Sequence, residues 1–284
     1  GLMRSRDPQE VIRQAQQLVD AGYKEIVLTG IHTGGYGEDM KDYNLAALLR
    51  DLEAQVAGLK RLRISSIEAS QITDEVIEVI DQSNIIVRHL HIPLQSGSDT
   101  VLKRMRRKYT MEFFGERLDR LKEVLPGLAV TSDIIVGFPG ETEEEFMETY
   151  NFIKKHQFSE LHVFPYSKRT GTPAARMEDQ VDEDVKNERV HRLIQLSDQL
   201  AKEYASQFEN EVLELIPEEI YKDSPDRGQY VGYTDNYLKV VFPATEDMIG
   251  KIVKVKIVKA GYPFNEGQFV RVLEDENVVE EAAV

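Results

Sequence analysis

Cysteine is absent from the 284 residues of the sequence. Without thiols the chain cannot form disulfide bonds, carry a thiolate nucleophile, or ligate a metal ion or iron–sulfur cluster through cysteine. The sequence also lacks any run of about 18 apolar residues, so no membrane span is predicted. Its opening residues, Gly1 to Arg6, contain no apolar core of a secretory signal. These features predict a cytoplasmic protein without a membrane partner.

Basic residues are the minority of the charged set, with 35 Lys and Arg against 50 Asp and Glu and a formal net charge of −15. A protein that binds phosphate backbones without further specificity would normally be basic. Any nucleic-acid surface must therefore be a local basic patch on an acidic body. The length accommodates one large domain and a small one.

Apolar strand-like segments alternate with helical segments through residues 8–165. A helix is predicted to open at Pro8, with Asp7 as its N-cap, and to stop at Gly22. The sequence predicts strands at 25–30, 62–67, 87–94, 128–136 and 160–164. It predicts further helices at 43–56, 73–82, 98–124 with a break near Thr110, and 142–156.

This alternation predicts an α/β fold with a parallel sheet covered by helices. Five strands are too few for a closed barrel of eight, which favours a partial (open) parallel β/α barrel. Because the first segment is a helix, the strand that would precede it is expected to be missing. The fold is then expected to expose apolar surface where that strand would pair.

The last third of the chain has a different character. One long helix with an apolar stripe is predicted over 181–208. Short β-rich runs follow, separated by Pro, Gly, Asn and Asp, with a hairpin signal at Thr234-Asp235-Asn236. They predict a small all-β, barrel-like module at 209–273. The acidic tail, 274–284, is expected to fray.

Ligands of parallel α/β domains bind at the carboxyl ends of the strands, where this sequence is rich in glycine and polar residues. The first strand exit, 28–37, is dense in glycine, which permits close backbone approach to a ligand or forms a plain flexible turn. At the second exit, Ser66 and Glu68 share one face of the strand. The Glu68 carboxylate is either an acceptor for an amine or a ribose, or a solvated loop group.

The third exit carries the pair His89 and His91, which suggests a metal site. No acidic or third histidine partner is evident from the spacing, so ligand binding by Gln95 and Ser96 is favoured over a metal. The fourth exit, 137–141, suits the edge of a flat ring, or is a structural strand–turn–helix. The fifth, 163–173, combines aromatic and basic residues that would stack on and neutralise a nucleotide.

Several of these segments resemble motifs of radical-SAM enzymes. The segment DIIVGFPGE at 133–141 resembles their fifth-strand motif. The segment LQSGS at 94–98, together with 102–107, resembles the fourth-strand region of the methylthiotransferase branch, and YSKRTGTP at 166–173 is similar to its sixth-strand exit. The module at 209–273 resembles a TRAM domain, an RNA-binding module appended in this MiaB-like family. Residues 1–208 then correspond to the partial barrel with its C-terminal helix.

The loop TGIHTGGYG at 29–37 is closest to the type that acts on N6-threonylcarbamoyladenosine beside the tRNA anticodon. The resemblance implies S-adenosylmethionine (SAM) and two 4Fe–4S clusters as cofactors, and a reductant such as flavodoxin or ferredoxin. One cluster, held by a Cys-x3-Cys-x2-Cys motif, would cleave SAM to a radical that abstracts hydrogen from C2 of the adenine. The second, held by three cysteines of an N-terminal domain, would take part in sulfur delivery, and a further SAM would supply the methyl group.

The chain departs from this pattern because it has none of the cluster cysteines. The resemblance places the Cys-x3-Cys-x2-Cys loop just before Gly1. The chain is therefore expected to be a fragment that is inactive alone. No catalytic residue and no metal ligand is assigned within it.

The remaining expectations concern contact residues. The cofactor contacts implied by the resemblance are Thr29, Gly30, Ser66, Glu68, Gln95, Ser96, Gly137, Phe138, Pro139, Gly140 and Glu141. The basic residues expected to contact RNA, if they do more than solubilise the surface, are Arg104, Arg106, Arg107, Lys168, Arg169, Lys254 and Lys256.

Three other readings remain open. A ribosomal-protein methylthiotransferase would use the acidic charge for a basic substrate, although the loop at 29–37 and the modest basic surface of the β module oppose it. The chain alone could be a non-catalytic RNA-binding module. An aldolase-type barrel enzyme would need a Schiff-base lysine or metal ligands inside the barrel, and the predicted strands supply no lysine.

Overall fold

The computed structural model describes residues 4–222 and 228–273. The chain divides into two compact units, Gly1–Tyr204 and Ala205–Val284. The tail at 274–284, expected to fray, lies outside the described residues. Within the described part, no helix is long and apolar enough to cross a membrane.

The first unit alternates helices and strands, as predicted. Its strands are β1 (Glu25–Leu28), β2 (Arg61–Ile64), β3 (His89–His91), β4 (Ala129–Val136) and β5 (Glu160–Pro165). Its helices are α1 (Pro8–Asp20), α2 (Leu45–Gln55), α3 (Asp74–Gln82), α4 (Asp99–Arg104), α5 (Met111–Val124), α6 (Glu143–His156) and α7 (Glu183–Ser206), the last of which ends just inside the second unit.

Local capping sets the starts of these helices. The Asp7 side chain accepts hydrogen bonds from two backbone amides of α1, so the predicted N-cap is confirmed. Thr142 and Glu145 form a reciprocal capping box at the start of α6. The predicted break near Thr110 is also confirmed, because Thr110 caps α5 after α4 has ended.

All strand pairs of the first unit are parallel. Strand β1 pairs with β2, and β3, β4 and β5 pair in that order. A bridge between Leu62 and Ile86 links the two groups just before β3. Among the described strands β1 pairs only with β2. Val27, opposite Arg63, is 46% exposed, and Ile31 in the loop after β1 is fully exposed.

The two faces of this sheet differ in chemistry. The face that packs on the helices is apolar, with Leu62, Leu90, Val130 and Ile134 in the core. The opposite face, here called the inner face, carries Arg63, His89, His91, Thr131, Asp133 and His162. The partial parallel α/β barrel is confirmed, and its inner face is polar rather than apolar.

The second unit is a closed five-stranded barrel in the order β10-β8-β7-β6-β9. The strands are β6 (Val212–Lys222), β7 (Gly228–Thr234), β8 (Lys239–Ala244), β9 (Val253–Lys259) and β10 (Asn265–Val272). The Thr234 backbone amide donates to the Leu238 carbonyl across the predicted hairpin, and Asn236 accepts from the Thr234 hydroxyl. Alternate residues of β9 (Val253, Val255 and Ile257) are buried, which is why Lys254 and Lys256 share the outward face.

Candidate functional site

Backbone hydrogen bonds bring the strand exits to one rim of the sheet. The Ser65 amide donates to the Leu28 carbonyl, and the Ile67 amide donates to the His91 carbonyl. Gln95 exchanges backbone hydrogen bonds with β4, donating to Asp133 and accepting from Ile135. The first four predicted exit segments therefore follow one another along this rim in strand order.

The exit segments differ in how open they are. Thr29, Gly30 and Glu68 are exposed, and Ser66 and Gln95 are half-buried. A Cβ built on Gly30 would meet only Thr33, at 3.4 Å or more, so a ligand can approach this backbone closely. Gln95 has a φ of +66°, a left-handed backbone conformation that turns the chain out of β3.

Ser96 is placed differently from its neighbour. Its side chain is fully buried and lies 3.3 Å from the Thr149 hydroxyl on α6. Gly97 packs against the same helix, and a Cβ there would lie 2.5 Å from the Thr149 Cα. This segment docks the turn onto α6, so its side chains do not face the rim.

The fourth exit is closed by a buried ion pair. The Glu141 Oε1 accepts from the Arg189 Nη1 at 2.8 Å and from the Gly137 amide at 2.8 Å. The two side chains are only 1% and 5% exposed. Burial raises the pKa of Glu141 more than the Gly137 amide and Arg189 lower it. The Glu141 carboxylate is committed to Arg189 and the Gly137 amide, and the Gly140 amide donates to the Asp179 carbonyl, so the protein's own contacts hold this loop.

Phe138 and Tyr166 lie edge to face at the fourth and fifth exits, with ring centroids 5.4 Å apart. The Tyr166 hydroxyl is buried and finds no hydrogen-bond partner among the described residues. A buried unpartnered hydroxyl is unfavourable unless something outside the protein pairs with it. This corner of the rim fits a polar, ring-containing ligand.

A continuous series of polar side-chain contacts crosses the inner face below the rim. Arg63 pairs with Glu25 at 2.7 Å and donates to the Nδ1 of His89 at 3.0 Å. The Nε2 of His89 lies 2.9 Å from the Thr131 hydroxyl, which also lies 2.9 Å from the Nδ1 of His91. Burial lowers the pKa of His89 to about 3, so this imidazole is neutral.

This series of polar contacts ends at the Asp133 carboxylate, which lies between two imidazoles. The Nε2 of His91 lies 3.3 Å from one Asp133 oxygen, and the Nδ1 of His162 lies 3.1 Å from the other. These contacts hold the pKa of Asp133 below its usual range and raise that of His162. The spacing around His91 showed neither partner, yet the fold brings in both. Same-face alternation on β4 and β5 is the signal that could have found them.

The basic residues expected to contact RNA are unequal in exposure. Arg106, Arg107, Lys168 and Arg169 are exposed, and Lys256 is half-buried. Two others already have carboxylate partners: Arg104 forms two hydrogen bonds with Glu145, and Lys254 lies 2.9 Å from Glu214.

The Arg104–Glu145 pair gives the first unit a defined response to acid. The Arg104 hydrogen bonds lower the pKa of Glu145 from 4.5 to about 2, and its side chain is 14% exposed. A depressed carboxyl pKa stabilises the fold above the unfolded pKa and loses that effect as pH falls through the folded pKa. Glu145→Gln keeps the capping box but removes the charge, and should lower the free energy of unfolding by about 1–2 kcal/mol at pH 7.

This deficit relative to the unsubstituted chain should shrink between pH 5 and pH 2, the window set by the two pKa values of Glu145. Urea unfolding over a pH series measures it. The matched control is Glu148→Gln, at an exposed position of the same helix. A deficit that stays constant down to the acid limit would show that the ion pair contributes nothing.

The residues present fit the two expected cofactors unequally. A 4Fe–4S cluster needs thiolate ligands, and the chain has no cysteine, so it cannot hold a cluster by itself. The open rim fits SAM better, because it offers hydroxyl, carboxylate and amide side chains beside an exposed glycine backbone.

Comparison with known proteins gives two family matches. The Radical SAM superfamily model matches residues 1–153, and the TRAM domain model matches residues 218–273. The solved structure of Streptococcus suis SuiB bound to S-adenosylmethionine aligns with a TM-score of 0.45 at 16% identity, over 74% of this chain and 47% of that chain.

Two curated relatives are similar over most of the chain. "Threonylcarbamoyladenosine tRNA methylthiotransferase MtaB" of Bacillus subtilis is 82% identical over 97% of this chain and 61% of that protein. A "tRNA-2-methylthio-N(6)-dimethylallyladenosine synthase" of Carboxydothermus hydrogenoformans is 40% identical over 95% of this chain and 61% of that protein. The chain thus spans about three fifths of the length of either relative.

Proposed function

The chain belongs to the radical SAM superfamily, and we propose that it is part of a methylthiotransferase that adds a methylthio group to C2 of N6-threonylcarbamoyladenosine in tRNA. The observation that carries this proposal is the 82% identity over 97% of the chain to a protein of that name. The relative named for dimethylallyladenosine is 40% identical, which favours the threonylcarbamoyl substrate over the dimethylallyl one.

The rim supplies the groups that SAM requires. Thr29 and Gly30 would lie near its amino group, and Ser66, Glu68 and Gln95 near its methionine or ribose end. The exposed Glu68 carboxylate accepts hydrogen bonds, which suits an ammonium or a ribose hydroxyl. SAM bound at this rim would be the source of the radical, and a further SAM would supply the methyl group.

The fourth exit would border the adenine of SAM. The buried Phe138 and Pro139 would offer apolar contact, whereas the Gly140 amide already donates to the Asp179 carbonyl. Glu141 would not contact the adenine itself. Its hydrogen bonds to Gly137 and Arg189 would hold the loop in place. Ser96 would likewise position Gln95 rather than touch the cofactor.

The tRNA would be held by local basic patches, because the chain as a whole carries a net charge of −15. Arg106, Arg107, Lys168 and Arg169 are exposed and offer phosphate contacts in the first unit. Lys256 does so on the barrel of the second unit, and Lys254 would have to exchange its Glu214 partner for a phosphate to join it. Such a protein works in the cytoplasm and draws electrons from a reductant such as flavodoxin or ferredoxin.

The proposal is tested by mass spectrometry of the nucleosides of total tRNA, comparing a strain that lacks the whole gene with its parent. We expect the 2-methylthio form of threonylcarbamoyladenosine to disappear and its precursor to accumulate. The methylthio form of dimethylallyladenosine is the internal control and should stay constant. Unchanged nucleosides would refute the tRNA substrate and favour a ribosomal-protein substrate.

A further inference from the structure

His91, Asp133 and His162 place three metal-ligating side chains together on the inner face. One ligand atom from each lies within 4.8 Å of the others. We propose that these residues form a binding site for one divalent transition-metal ion. Its ligands would be nitrogen and oxygen atoms of this chain. It does not rest on the proposed function.

The fold builds the site from three adjacent strands. In the parallel register His91 lies opposite Thr131, and Asp133 lies opposite His162. Same-face alternation on β4 then sets Asp133 one step along from Thr131, between the two histidines. Side chains on paired strands are held by the backbone hydrogen-bond ladder, so the three ligands are preorganised.

The distances suit a shared ion. Ligands on one zinc or iron ion, each about 2.0–2.2 Å from the metal, lie roughly 3–3.5 Å from one another. The two Asp133 oxygens lie 3.3 Å from His91 Nε2 and 3.1 Å from His162 Nδ1. The two imidazole rings lie nearly parallel, 5.5 Å apart with an interplanar angle of 24°. All three ligand atoms lie within 4.8 Å of one another.

Residues behind the ligands orient them. Arg63 can only donate, so His89 accepts at Nδ1 and carries its proton at Nε2, which donates to the Thr131 hydroxyl. The Thr131 hydroxyl oxygen can accept a second hydrogen bond, and it lies 2.9 Å from the Nδ1 of His91. When His91 donates there, its Nε2 lone pair faces Asp133 and is available to a metal. A hydrogen bond at the second ring nitrogen is the usual support of a metal-bound histidine.

The ligand set selects the kind of ion. Two imidazoles and one carboxylate suit Zn²⁺, Fe²⁺ or Co²⁺, whereas Ca²⁺ and Mg²⁺ prefer all-oxygen sites. Three protein ligands leave at least one coordination position open. The His162 side chain is 45% exposed. A water molecule or a substrate group can therefore reach the ion.

The test is a titration of the untagged 284-residue chain with Co²⁺, followed by its visible absorption, and then competition with Zn²⁺. Because the chain has no cysteine, every signal comes from nitrogen and oxygen ligands. We expect saturation at one ion per chain. His162→Gln and Asp133→Asn should each weaken binding at least tenfold. The matched control, His191→Gln at an exposed site on α7, should bind as the unsubstituted chain does.

A folding readout separates loss of the site from loss of the protein. Saturating Zn²⁺ should raise the thermal unfolding midpoint of the unsubstituted chain and of His191→Gln, but not that of His162→Gln. Circular dichroism should show all three folded without metal. Binding that never saturates, or that is equal in His162→Gln and the control, would overturn the site. Neither result depends on tRNA modification, so this inference and the proposed function fail separately.

Discussion

Arg189→Met is expected to lower the free energy of unfolding by about 3–5 kcal/mol, the usual effect of removing one partner of a buried ion pair. The substitution leaves the Glu141 carboxylate, 1% exposed, with the Gly137 amide but without its cation. Chemical denaturation monitored by circular dichroism measures the change. Because Glu141 then ionises at still greater cost, the loss should be larger at pH 8 than at pH 5.

The direction of this pH dependence follows from the difference between the folded and unfolded pKa values of Glu141. Burial already raises the pKa of Glu141, and removing Arg189 takes away an interaction that lowers it. A carboxyl whose folded pKa lies above its unfolded pKa destabilises the fold increasingly as pH rises between the two values. The double variant Arg189→Met, Glu141→Gln should recover part of the loss, because no charge remains buried.

Arg192→Met is the matched control for Arg189→Met. Arg192 lies on the same helix and pairs with Glu143 at 2.7 Å, but its side chain is 32% exposed. A pair this accessible contributes about 1 kcal/mol or less. If Arg189→Met cost no more than Arg192→Met, the buried pair would not be what fixes the loop at 137–141.

Anaerobic reconstitution of the chain alone with iron and sulfide should give no 4Fe–4S cluster and no cleavage of SAM to 5′-deoxyadenosine. The reason is the complete absence of thiolate ligands. The full-length protein treated in the same way should give both. Iron retained by the isolated chain should be mononuclear, free of sulfide, and lost in His162→Gln. A cluster spectrum from the chain alone would contradict this reading of its cysteine content.

Much of the fold could be predicted from sequence because its signals are local. Each apolar strand, each helix cap and the turn at Thr234–Asn236 depends on residues close together in the chain. Because strand segments alternate strictly with helical segments, the sequence then favours a parallel sheet covered by helices. The break between α4 and α5 was predictable for the same reason, since Thr110 caps α5 directly.

The site was less predictable because its key contacts are distant in sequence. Glu141 reads as part of a loop motif, but its partner Arg189 lies 48 positions away. Ser96 lies beside Gln95, yet packing of Gly97 against α6 turns it inward. His162 meets Asp133 only through the register of β4 and β5. No local pattern fixes such pairings.

The central claim is tested most directly by complementation of the deletion strain, with tRNA nucleosides measured by mass spectrometry. We predict that the full-length gene restores 2-methylthio-threonylcarbamoyladenosine. The gene segment for this chain alone should leave only the unmodified precursor. If the full-length gene left the precursor unchanged, the chain would not belong to the enzyme that makes this modification. If the chain alone restored it, the chemistry would not need the cysteines that this sequence lacks.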